Sequence, residues 1–92
     1  LDEPLNDFVI RPGRSTILWY GEVAGAVTFR VTTDLAVSLS CESKTGCIAA
    51  CEARREHVLE VQVKRPTRVE LRAQNASGTR KTRGTIEVLR SG

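Results

Sequence analysis

Cys41, Cys47, Cys51 and His57 are the side chains whose types could ligate a metal or supply a nucleophile and its base. Five, three and five residues separate them in turn. Structural zinc takes four ligands in a tetrahedron, usually with its cysteines in closely spaced pairs. The spacing here matches no standard finger. One disulfide with a thiol left over is the oxidised alternative. Three reduced thiols, with Cys41 in the core, is the other, and the odd count favours it. A Cys–His nucleophile pair needs a third group to orient the base and donors for an oxyanion. The sequence supplies neither. The carboxylates are dispersed at alternating positions rather than paired for acid–base work. Gly21, Gly25, Gly46, Gly78 and Gly84 fall at turns, not in a phosphate-cradling loop. No catalytic residue, metal site or cofactor is assigned, and the chain is read as a non-enzyme.

The elements that carry these residues follow from hydrophobic periodicity. A chain of 92 residues makes one domain with a small core. It starts at Leu1 and contains no Met, which reads as a piece excised from a larger protein. No apolar run approaches the length of a membrane helix, so no membrane insertion is expected. Period-two alternation predicts strands over 8–10, 16–20, 26–32, 36–41, 57–64, 68–74 and 85–89. The second is apolar on both faces and reads as central. Pro12-Gly13, Gly21 to Gly25 and Asn75 to Gly78 read as turns. Residues 48–57 hold good helix formers, which allows a short helix there. Seven short strands argue for an all-β, immunoglobulin-like sandwich. Its expected core is Trp19, Phe29, Val31, Leu39, Val61, Val63, Val69, Leu71, Ile86 and Val88. Asn75-Ala76-Ser77 also fits the N-glycosylation pattern, and a turn explains it without a sugar.

Phe29-Arg30-Val31-Thr32-Thr33 and Gly46-Cys47-Ile48-Ala49-Ala50, with sixteen residues between Phe29 and Gly46, form a pair of phrases. Together with Leu59 to Val63 they resemble the major-sperm-protein and ASH families, PapD-like immunoglobulin sandwiches that bind other proteins. The resemblance spans roughly residues 16–90. It implies a cytoplasmic interaction module of a cytoskeletal, centrosomal or ciliary scaffold. The chain departs from the family at Thr32, where the usual residue is a Lys that helps bind acidic motifs. Residues 69–79 are similar to a bacterial immunoglobulin-like module instead. That implies an extracellular adhesion or spacer domain of a bacterial or phage surface protein.

Charge suggests where a partner would sit. The net charge is +3, and arginine dominates the second half. In an immunoglobulin-like sandwich, strands three, six and seven share a sheet. Parity then gathers Arg30, Thr32, Arg68 and Arg72 on one outer face, with Arg80, Lys81 and Arg83 leading into the last strand. Guanidinium forks suit the carboxylates of an acidic or extended protein segment. With four aromatic residues in all, stacking on bases is poorly provided for, so no specific nucleic-acid partner is expected. Exposed strand edges leave self-association open.

Overall fold

The computed structural model describes residues 3–91. It contains four strands and, among the described residues, no helix: β1 (Glu3–Ile10), β2 (Ser15–Ser43), β3 (Gly46–Asn75) and β4 (Thr82–Ser91). They form an antiparallel sheet in the order β1-β4-β2-β3. The second, third and fourth predicted strands are one continuous strand, β2, and the fifth and sixth are both in β3. The first and last strands begin earlier than expected, at Glu3 and Thr82.

Hydrogen bonding explains the merging. The predicted turn at Gly21 to Gly25 is strand, because the β2–β3 ladder runs past it with one shift of register. There Val23 faces Thr67 and Gly25 faces Val63, so one residue of β2 spans three of β3. Such a bulge bends a ribbon without ending it. It also accommodates Pro66, whose missing N–H would interrupt a regular ladder.

Residues 48–57 are strand, not helix. Leu39 pairs with Cys51 and Cys41 with Ala49 across the ladder. Ladder bonds and inward packing outweigh helix preferences worth a few tenths of a kcal/mol per residue.

β2 and β3 form a single antiparallel ribbon with its tip at Lys44–Thr45, and the ribbon folds back on itself. Residues 37–43 pair with 46–54 on one side, and 37–42 pair with 70–75, at the ribbon's own base, on the other. β4 lies between β1 and residues 26–33 of β2. The pairings therefore fall into two sets of four segments. One runs 3–10, 82–91, 26–33, 56–63; the other runs 15–23, 67–75, 37–43, 46–54.

Alternate residues of these segments bury Val27, Phe29 and Val31, Val37, Leu39 and Cys41, Val69, Leu71 and Ala73, and Ile86 and Val88. The predicted core residues Trp19 and Val63 are half-buried against this cluster. Trp19 tilts onto Phe29 at 5.3 Å between ring centroids. Residues 15–23 pair on one side only, so the supposedly central second strand is an edge. A register shift between Ile17 and Trp19 leaves both Ile17 and Tyr20 exposed.

Asn75 joins the ends of the elements. It is buried; one Nδ2 hydrogen goes to the Arg80 carbonyl at 2.8 Å and the other is shared between those of Ile10 and Arg11 at 3.2 and 3.3 Å. Its Oδ1 accepts the Ser77 N–H at 2.9 Å. The nitrogen that would carry a sugar is thus enclosed and bonded, and the folded chain has no room for one there. Asp34 makes a second tie. Its Oδ1 accepts from the buried Thr82 hydroxyl at 2.5 Å and from the Arg83 N–H at 2.9 Å. These bonds, the Thr82 one foremost, hold its carboxyl below the ordinary value.

Candidate binding surface

The seven basic-face positions divide among separate parts of the surface. Arg30 lies on β2 opposite Val58 and Glu87, and its guanidinium stands 3.7 Å from the Glu87 carboxylate. Thr32 is exposed opposite Glu56 and Thr85, in a depression shared with Thr33 and Arg55. Arg80 and Lys81 are exposed in the loop before β4. Arg83 lies outward beside Asp7 and Val9, next to β1. Arg68 and Arg72 are on β3, beside residues 15–23. The sixth predicted strand pairs with the second and fourth rather than the third, because β3 bends at the bulge around Pro66. Arg30 therefore does not join Arg68 and Arg72 in a common ladder.

Arg68 and Arg72 do share a cleft. Its volume is about 640 Å³, and Tyr20, Glu42, Ser43, Lys44 and Glu70 complete its polar lining. Ladder pairing assembles it: Tyr20 faces Glu70, and Glu70 faces Glu42. The ribbon's fold-back brings Glu42 and Lys44, from the tip, against Arg68 and Glu70 at the base. Arg72 is divided between two carboxylates, with its Nε 3.5 Å from Glu70 and 3.8 Å from Glu42. Among the described residues, Lys44 and Arg68 make no ion pair. Tyr20 is 67% exposed. The cleft thus offers two uncommitted cations and an exposed aromatic ring beside a floor where one arginine meets two carboxylates. Sequence parity found Arg68 and Arg72. It missed Tyr20 because the bulge resets the alternation, and Lys44 because the fold-back is a long-range event.

Elsewhere, the Arg90 guanidinium lies over the Trp19 ring, 5.1 Å from its centroid. Its Nη1 also donates to the Glu22 carbonyl at 3.2 Å. This pairing secures the half-buried tryptophan.

Among the described residues, the cysteines and histidine do not gather into a metal-holding group. His57 is buried, and its Nε2 donates to the Val37 carbonyl at 2.7 Å, a tie between β3 and β2. Cys41 is buried, Cys51 half-buried and Cys47 exposed, and all three are free thiols. Cys47 and Cys51 lie four residues apart on one extended segment, roughly 13 Å, which is beyond disulfide reach. Among the described residues, no group of three or more His, Cys, Asp or Glu side chains could hold a metal ion. No helix among the described residues is long and apolar enough to cross a membrane.

Comparison with protein-family models and with curated proteins finds no match for this chain.

Proposed function

We propose that this domain is a non-catalytic binding module that holds an acidic, extended segment of another protein in the cleft of Tyr20, Lys44 and Arg68. One observation carries the reading: two cations without carboxylate partners and an exposed aromatic ring line the same concave site. An acidic side chain of the ligand would take bonds from Arg68 and Lys44. An apolar neighbour would cover the Tyr20 ring. Arg72 would keep the floor in place rather than meet the ligand. Arg30, Thr32, Arg80, Lys81 and Arg83 lie outside this cleft and have no part in the proposal.

The test is peptide capture followed by calorimetry. A library of extended peptides carrying Asp or Glu beside an apolar residue should yield binders. Arg68→Glu, Lys44→Glu and Tyr20→Ala should each weaken them by about tenfold or more, with unchanged melting temperature. Binding that responds only to total charge and vanishes with moderate salt would sink the reading. So would binders indifferent to all three substitutions.

A scaffold of the cytoskeleton, centrosome or cilium rests on the sequence resemblance alone. The rolled ribbon favours a second reading. A long antiparallel ribbon folded back on its base is the connectivity of a jelly roll, and we read the two four-segment sets as that sandwich in place of the immunoglobulin-like one. Jelly rolls include capsid and lectin domains, so by analogy of fold a bacterial or phage surface module is the alternative. Binding of oligosaccharides rather than acidic peptides at the Tyr20 cleft would favour it.

A further inference from the structure

Among the described residues, the exposed large apolar side chains are Leu5, Val9, Ile17, Tyr20, Ile48 and Val58. All six stand on segments that are paired on one side only: β1, 15–23, 46–54 and 56–63. The inner segments expose none, so the surface is apolar where the backbone is also unpaired. Edges of that kind are templates for another strand.

One edge carries its own complement. From Glu56 to Lys64 the side chains alternate without interruption. Glu56, Val58, Glu60, Gln62 and Lys64 are exposed, while His57, Leu59, Val61 and Val63 are buried or half-buried. Val58 is 72% exposed. Glu56 and Lys64 carry opposite charges at the two ends of the same face. Among the described residues, neither side chain has a hydrogen bond or ion pair.

We propose that this edge pairs with the same edge of a second copy, antiparallel about a two-fold axis through Glu60. A closed two-fold dimer is the commonest symmetric assembly. Antiparallel self-pairing keeps the exposed faces together only if a residue sits on the axis, because the side-chain period is two. Centring on Glu60 sets Glu56 opposite Lys64 at both ends and Val58 opposite Gln62. Leu59 meets Val61 on the inner face, covering a half-buried edge residue. Centring on Val58 sets Glu56 against Glu60 twice, and centring on Leu59 sets Arg54 against Lys64. Centring on Val61 pairs no opposite charges, and centring on Gln62 sets Glu60 opposite Lys64 but puts Pro66 against Val58, where the missing N–H ends the ladder. The Glu60 register has one cost, two carboxylates meeting at the axis. Gln62 Nε2 already donates to Glu60 Oε1 at 3.0 Å, which offsets part of it.

The register dictates a charge-swap experiment, read by sedimentation equilibrium up to about 1 mM protein. The unmodified chain should form dimers and stop there. Lys64→Glu and Glu56→Lys should each weaken the dimer by about tenfold or more, since each turns two attractive pairs into two repulsive ones. The double variant should dimerise again, within about threefold of the original. An equimolar mixture of the two single variants should also dimerise, because each supplies what the other lacks. Glu60→Gln should tighten association. All these positions are exposed, and unchanged melting curves would confirm that the fold is kept. A monomer throughout, a dimer indifferent to Lys64→Glu, or growth beyond a dimer would each overturn the proposal. None of these outcomes depends on peptide binding at the Tyr20 cleft, which lies on another ladder.

Discussion

The Cys41 thiol is pushed up to about 11, first by burial and then by its neighbours Cys47 and Glu42. Nucleophilicity belongs to the thiolate, so depth separates three residues of one type. With iodoacetamide at about pH 8, near the ordinary thiol range, Cys47 should react first and half-buried Cys51 more slowly. Cys41 should react only as fast as the chain opens. Intact-mass kinetics reads this directly: two additions, then a third at the unfolding rate. Three equal rates, or a mass two hydrogens short, would contradict the depths described here. The raised value also has a pH consequence. Keeping the thiol neutral favours the fold fully below the ordinary value of 9.0, and this contribution is lost as pH rises toward 11. Residue type alone left the thiol state open in the sequence, because exposure is set by pairing. His57 shows the same limit. A lone histidine at a strand start reads as a surface residue, yet His57 is buried with the parity of Leu59, Val61 and Val63, and its bond to Val37 crosses between two strands that the sequence does not bring together.

At the scale of elements, β4 is pressed most closely at Gly84. A Cβ added there would lie 2.4 Å from the Thr32 carbonyl oxygen, 2.6 Å from Thr33 Cγ2 and 2.9 Å from Phe8 Cζ. The carbonyl belongs to the β2–β4 ladder and cannot withdraw without breaking it, so Gly84→Ala should cost about 2–4 kcal/mol. Gly78→Ala, which points into open space, should change stability by less than about 0.5 kcal/mol. Urea melts of both variants check the contrast, and equal midpoints would show that β4 sits looser against β2. The sequence marked Gly84 as a turn residue, whereas it is a strand residue pinched between two neighbours. Alternation located most of the paired segments and most of the buried residues, because period two follows from one face being dry. It could not tell a turn from a bulge at Gly21 to Gly25, where both need small residues. Nor could it place 68–74 beside 36–41, a contact that only the fold-back creates. That contact is what builds the Tyr20 cleft, so half of the site was invisible.

For the whole molecule, the rolled ribbon fixes an order of assembly. The hairpin at Ser43–Gly46 closes locally, whereas Ser15 must find Gln74 and Glu3 must find Val88. Loop-closure entropy is met before distant pairs reward it. Zipping from the tip keeps every new loop short, then the tip folds onto 70–75, and β4 and β1 dock last. Folding should therefore take milliseconds to seconds, as in other chains dominated by distant pairings. Trp19, half-buried against Phe29, is the sole tryptophan and a natural fluorescent reporter. Gly46 has a φ of 128°, a backbone angle that side chains rarely adopt. Gly46→Ala should slow folding, since it strains the first turn to close. In this order of assembly, Phe8→Ala on β1 removes contacts that form after the barrier. A loss of about 2 kcal/mol there should appear almost wholly as faster unfolding, roughly thirtyfold, with the folding rate nearly unchanged. Stopped-flow chevrons separate the two effects. If Phe8→Ala slows folding as much as Gly46→Ala does, the edge strand is already docked at the barrier. The ribbon would then close around β1 and β4 instead of rolling up before they arrive.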